Sequence, residues 1–154
     1  ALCACPCCGP AAARENALFA KEMATSMRSY EATMRPRKRA LFAEAAAGTG
    51  PAGVPVAPKL IVELGIGTGP NLESYPAAWR GAKVLGVEPN VAMHPYARDA
   101  ALAAGVPNLE VQEAQAETLP LPARSADVVV CTLTLCSVES QEACLAEARR
   151  VLRP

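Results

Sequence analysis

The stretch "VELGIGTGPN", residues 62 to 71, places a carboxylate, Glu63, two positions ahead of the alternating glycines Gly65, Gly67 and Gly69. Glycine reaches positive φ at little cost and carries no side chain. A chain built this way turns sharply and lets a ligand rest against its backbone N–H groups. Where the turn opens a helix, those groups favour negative charge. Dinucleotide sites use G-x-G-x-x-G, whose last glycine lets the helix pack closely. Here that position is Pro70, and the pattern is G-x-G-x-G. A carboxylate so close to the loop repels a pyrophosphate and suits a ligand with an ammonium group. Further along, Glu88 closes the apolar run "AKVLGVEPN". A carboxylate at that place can accept both hydrogen bonds of a ribose diol, a device shared by several kinds of nucleotide site.

Other reactive side chains carry weaker signals. His94 is the single histidine; beside Pro95 it reads as a surface residue at a helix start rather than a general base. The seven cysteines are Cys3, Cys5, Cys7, Cys8, Cys131, Cys136 and Cys144. Their odd number argues against a disulfide framework and for a reducing compartment. Thiolates in "CACPCCG" could bind zinc, but no second ligand pair follows at zinc-finger spacing, so no metal is expected. Cys131 and Cys136 read as buried packing residues, and Arg35, Arg37, Lys38 and Arg39 as a solvated basic face.

These residues need elements to position them. Residues 1–10 read as a disordered Cys-rich end. Residues 11–47 read as a helical cap, with apolar residues at Phe19, Met23, Met27, Tyr30 and Met34 near the helical period and a break at Pro36. Met23, Met27 and Met34 read first as core packing and second as the wall of an apolar pocket. Residues 48–58 are a linker too rich in glycine and proline for regular structure. From residue 59 to 154 short apolar strands alternate with helices. "KLIVELG", "AKVLGVEPN", "NLEVQEA" and "ADVVVCTLTL" are the strands, the last expected to be the most buried. A short helical stretch interrupted near Pro76 follows the first strand. A helix capped by Asn90 and ended by Gly105 follows the second, and a closing helix is expected to show Leu145, Ala148 and Leu152 on one face. Such alternation predicts an α/β fold with a parallel sheet.

The motifs "ELGIGTGPN", "VLGVEPN", "AQAETLP" and "DVVVCTLTLCSV…ARRVLRP" occur in that order. Together they resemble class I S-adenosylmethionine-dependent methyltransferases over roughly residues 59 to 154. "GTGPN", "VEPN" with Met93, and "TLTLCSV" are similar to the methyltransferase-like branch that includes alkyl thiol methyltransferases. The resemblance implies a Rossmann-like three-layer sandwich and S-adenosyl-L-methionine as cofactor. It implies that Glu63 lies near the methionine ammonium group and that Gly65, Gly67 and Gly69 approach the methionine portion. Glu88 would hold the ribose, Pro89 and Met93 would flank the adenine, and Gln115, Ala116 and Glu117 would border its amino edge. Many family members have Asp where this chain has Gln115. Thr132, Leu133 and Leu135 would face the transferred methyl group. The family continues into three further strands, so the chain reads as a C-terminally truncated form with a partial sheet in the order 3-2-1-4 and an exposed apolar fourth strand.

The formal net charge is zero and 51% of the residues are hydrophobic. Overall charge therefore implies neither nucleic acid nor an acidic membrane as partner, and no apolar run reaches the ~20 residues of a membrane span. The expected partner is a small, apolar methyl acceptor, with a thiol among the candidates. The alternatives are a non-catalytic cofactor-binding fragment and a nicotinamide-dependent oxidoreductase; Pro70 and the lack of a Tyr-x-x-x-Lys pair count against the latter. The cytoplasm or an organelle, the chloroplast included, is the expected compartment.

Overall fold

The computed structural model describes residues 10–48 and 57–154. The cysteine cluster of residues 3–8 and most of the 48–58 linker lie outside the described residues.

Two helices come first, α1 (Pro10–Ser26) and α2 (Arg28–Ala47). The break between them falls at Met27 and not at Pro36, which lies inside α2. Side chains end α1: Thr25 Oγ1 donates to Lys21 O, Ser26 Oγ to Glu22 O and Arg28 Nε to Ala24 O. These bonds occupy carbonyls at its end. The basic cluster is also not a uniform solvated face. Arg37 and Arg39 are exposed, but Lys38 is buried against Glu31 and Arg35 pairs with Glu73 at 2.8 Å.

The sheet holds β1 (Leu60–Leu64), β2 (Lys83–Val87), β3 (Leu109–Gln112) and β4 (Val128–Cys131). All pairings are parallel and the order is β3-β2-β1-β4. Ile61 stands opposite Val84 on one side and Val128 on the other. Period-two alternation then sorts the strands onto two faces. Ile61, Val84 and Val130 pack with Phe42, Tyr75, Trp79, Ala97 and Ala101. Val62, Leu64, Leu85 and Val87 pack with Leu119, Cys144 and Val151 on the other face. Helices cover both faces, giving the three-layer Rossmann-like sandwich. β1 is the most buried strand, not β4. β4 pairs only with β1, and its edge position leaves Val128 and Val129 half-buried and Cys131 exposed.

Between β1 and β2 run two 3-10 turns, Leu72–Ser74 and Ala77–Trp79, separated at Pro76. A third turn, Val91–Met93, leads into α3 (His94–Ala104). Asn90 Oδ1 accepts the Ala92 N–H, and Gly105 ends α3 in the left-handed region at φ 68°. Ser140 caps α4 (Gln141–Val151) by accepting from Ala143 N. The buried face of α4 carries Cys144 and Val151 with Ala148 beside them; Leu145 is exposed. Asp127 ties β1 to the C-terminal end. Its Oδ2 accepts from Lys59 N and Leu60 N, and its Oδ1 meets Arg153 Nη1.

Candidate functional site

Gly65, Gly67 and Gly69 all have positive φ, at 59°, 56° and 78°. The loop therefore needs glycine conformation at each, but the space around each differs. A Cβ on Gly65 would lie 2.6 Å from Thr134, whose hydroxyl donates to Leu64 O. That contact seats the loop after β4 against the loop after β1. A Cβ on Gly69 would meet Ala100, Leu72 and Ala97 at 3.0 to 3.2 Å, so the residue lets α3 pack close. On Gly67 the nearest atom outside the loop would be Met93 Sδ at 3.8 Å. Gly67 keeps its face clear for the cavity beside it.

That cavity, about 190 Å³, lies at the carboxyl ends of β1 and β2, where ligands collect in such sheets. Gly65, Gly67, Glu88, Pro89, Met93, Gln115 and Ala116 line it. Phe19 and Met23 of α1 and Leu133, Thr134, Ser137 and Val138 after β4 complete the wall. A second cavity of about 100 Å³ shares Met23, Gly65, Gly67 and Leu133 and extends to Met27, Glu31, Asn71 and Thr132. The two form one continuous lining around the glycine loop. Of the N-terminal methionines, Met23 and Met27 face these spaces; Met34 lines neither.

Glu88 joins the two main motifs. Its Oε2 accepts from Gly67 N at 3.0 Å and its Oε1 from Asn90 N at 2.9 Å. A carboxylate has about four acceptor positions, so both oxygens retain capacity for a ligand diol. His94 is 5% exposed, not a surface residue: its Nε2 lies 2.9 Å from Glu88 O. A carbonyl only accepts, so Nε2 carries the proton and braces the Glu88 backbone.

Of the other expected residues, Glu63, Gly69, Glu117 and Leu135 line neither cavity. Glu63 is 1% exposed and lines neither; Oε1 accepts from Asn71 Nδ2 at 2.7 Å and Oε2 from the Tyr75 hydroxyl. Gly69 acts in packing. Glu117 Oε1 accepts from Glu139 N at 2.7 Å and Ser140 N at 3.3 Å, anchoring the start of α4. Thr132 Oγ1 accepts from Asn71 Nδ2 and faces the smaller cavity. Leu135 is half-buried and packs against the core cluster that holds Cys144 and Val151. Cys131 and Cys136 are exposed, since among the described residues β4 has no outer neighbour and Cys136 lies in the loop beyond it. Sequence reasoning passed over Asn71, Thr134 and Glu31. Only Asn71 had a local signal, as a polar amide directly after the glycine loop.

The chain meets the demands of an adenosyl ligand in three respects. Gly67 offers a cradle that a side chain would fill, Glu88 offers oriented acceptors, and Met93 offers a polarizable wall.

Comparison with known proteins agrees. A family model described as a methyltransferase domain matches residues 62–154, more than half of the chain. Human thiol S-methyltransferase TMT1B is 39% identical over 127 residues, covering 79% of this chain and 48% of that protein. Human thiol S-methyltransferase TMT1A is 38% identical over 132 residues, covering 81% and 49%. The chain thus spans about half the length of these curated relatives. Among solved structures, the YcgJ protein of Bacillus subtilis superposes with a TM-score of 0.62 at 23% identity, covering 76% of this chain and 46% of that one. A SAM-dependent methyltransferase of Thermotoga maritima gives 0.53 at 27% identity, covering 88% and 55%. The fold and the family match agree: the chain belongs to the methyltransferase-domain family, within the S-adenosylmethionine-dependent methyltransferases.

Proposed function

We propose that the chain binds S-adenosylmethionine in the joined cavities and directs methyl transfer to a small apolar acceptor, with a thiol as the leading candidate. The observation that carries this reading is the Glu88 carboxylate, held by the N–H groups of Gly67 and Asn90 at the cavity wall. The names of the 37–40% identical relatives support the thiol.

When bound, the cofactor supplies an activated methyl group on a sulfonium, so the chain's task is mainly alignment. Glu88 receives the ribose hydroxyls. Pro89 and Met93 pack beside the adenine, and Gln115 and Ala116 border its edge. Phe19, Met23, Leu133 and Val138 give the acceptor side an apolar lining. A thiol ionises near pH 8.5 and needs little help from a base. That suits a lining whose nearest imidazole, His94, is committed to Glu88 O.

Calorimetric titration with S-adenosylhomocysteine, with NAD as the control, tests the site. Glu88→Ala is expected to weaken S-adenosylhomocysteine by roughly 1.5–3 kcal/mol, the scale of hydrogen bonds to a charged group. Unchanged affinity would remove Glu88 from the site, and tighter binding of NAD would overturn the cofactor assignment. Transfer of labelled methyl to a panel of thiols, phenols and amines separates catalysis from binding alone.

A further inference from the structure

The glycine loop's smaller cavity has a carboxylate in its wall, and it is not Glu63. Glu63 sits behind Asn71 and Tyr75, with a hydrogen bond on each oxygen. The carboxylate that faces the cavity is Glu31, in the first turn of α2 and outside the matched domain. Its side chain is 12% exposed and that of its partner Lys38 is 8% exposed. Lys38 Nζ donates to Oε2, which fixes the glutamate's place one face of the helix away from solvent.

Two further observations point to a ligand. Asn71 lines the same cavity and is 2% exposed; its Nδ2 serves Glu63 and Thr132, while its buried Oδ1 has no partner. A buried acceptor left unmatched costs about 1–3 kcal/mol, so it calls for a donor. Among the described residues Glu31 has one hydrogen-bonded cation, Lys38, on Oε2, which leaves Oε1 able to accept. Arg28 and Arg35 border the adjoining cleft, but Arg35 is matched by Glu73 and Arg28 turns to Ala24 O. A cationic donor in the cavity would meet the Glu31 carboxylate, with Asn71 in the same lining.

The geometry points to Glu31, held by Lys38 in the cavity wall, as the receiver of the primary ammonium at the amino-acid end of the cofactor. This rests on the cofactor reading proposed above. It moves the ammonium contact from the glycine motif's own glutamate to the helical cap. Lys38 is then a positioning residue, and α2 is part of the binding site rather than only a cover.

The test pairs two ligands that differ by one group: S-adenosylhomocysteine and its desamino analogue, 5′-deoxy-5′-(3-carboxypropylthio)adenosine. Calorimetry on the purified chain and on Glu31→Gln is expected to show about a tenfold loss for S-adenosylhomocysteine and no loss for the analogue. Because Glu31→Gln leaves Lys38 buried without its partner, Glu31→Gln/Lys38→Met is measured in parallel, with thermal melts confirming that each variant is folded. The double variant is expected to show the same selective loss. An equal loss for both ligands, or no loss for either, would overturn the assignment. Failure of the unsubstituted chain to bind S-adenosylhomocysteine would instead sink the cofactor reading itself.

Discussion

The Tyr75 hydroxyl donates to Glu63 Oε2 at 2.5 Å, with Glu63 1% and Tyr75 2% exposed. The pair lies on the face of β1 that carries Ile61, beside Phe42, whose ring stands edge-on to Tyr75 at 5.6 Å. Burial pushes the Glu63 carboxyl up to about 7, against the lowering effect of Tyr75, Asn71 and Lys38, while Glu31 adds to the rise. Burial, with the Glu63 charge, also raises Tyr75.

A carboxyl whose folded pKa lies above its ordinary 4.5 binds its proton more tightly in the folded state. Its contribution is full below pH 4.5, declines between 4.5 and about 7, and is flat above. The span corresponds to at most roughly 3 kcal/mol. Glu63→Gln mimics the protonated group and keeps an acceptor for Asn71. It is expected to match the parent near pH 5 and exceed it in stability at pH 8. Urea melts at both values decide this; an equal loss at both would show that the charged form is the one the fold prefers.

Gly67 and Gly69 are two residues apart and are expected to fail in opposite ways. An alanine at 67 takes on left-handed strain of about 1–2 kcal/mol but meets no close neighbour, Met93 Sδ being 3.8 Å away. It should stay folded and lose S-adenosylhomocysteine binding. An alanine at 69 meets Ala100, Leu72 and Ala97 at 3.0 to 3.2 Å on top of the same strain. Its cost should reach roughly 2–4 kcal/mol. Thermal melts and calorimetry on both variants check the split, and a stable Gly69→Ala would remove the packing role.

How much was legible follows from how local each signal is. Strand alternation, the glycine spacing, the Asn90 cap and the Gly105 stop are set by neighbours along the chain, and the sequence showed them. The helix break at Met27 was hidden because side chains of Thr25, Ser26 and Arg28 end α1 there without a glycine or proline. Pro36 gave a strong local signal, yet α2 carries it within 20 residues of helix. The burial of His94 depends on Glu88 O, and that of Lys38 on Glu31 a full two turns away. Cys131 read as buried because its strand is apolar; its exposure depends on what stands beside β4. In the site, the residues brought by the two main loops were legible. Glu31 was not, because nothing in a helix's own pattern says which loop it will face.

Asp127 is expected to hold β1 and β4 to the C-terminal end. Desolvation works to raise its carboxyl, but the N–H groups of Leu60 and Lys59, with Arg153, hold it below the usual range. A depressed folded pKa gives stability that is present above the ordinary 3.8 and lost as pH falls through the folded value. Asp127→Ala should cost about 2–3 kcal/mol at pH 7. The gap between variant and parent should shrink in melts at pH 3. A gap of the same size at pH 3 would assign the loss to packing rather than to the charge.

Leu133 is the non-glycine residue of the site held at positive φ, at 57°, and it is 57% exposed while lining both cavities. A left-handed leucine costs about 1–2 kcal/mol. Glycine there would remove that strain but lose roughly 0.5–1 kcal/mol through the freedom of the unfolded chain. Leu133→Gly is therefore expected to lie within about 1 kcal/mol of the parent in urea melts. It would also strip apolar surface from the acceptor side. Full burial of a leucine side chain is worth about 1.5–3 kcal/mol; with half of it in contact, the preference for an alkyl thiol over a hydrophilic thiol should narrow about tenfold in kcat/KM. A variant that gained more than 2 kcal/mol would show strain beyond the ordinary left-handed cost. A preference that stayed unchanged would place the acceptor away from Leu133, toward Phe19 and Val138 on the opposite stretch of the lining.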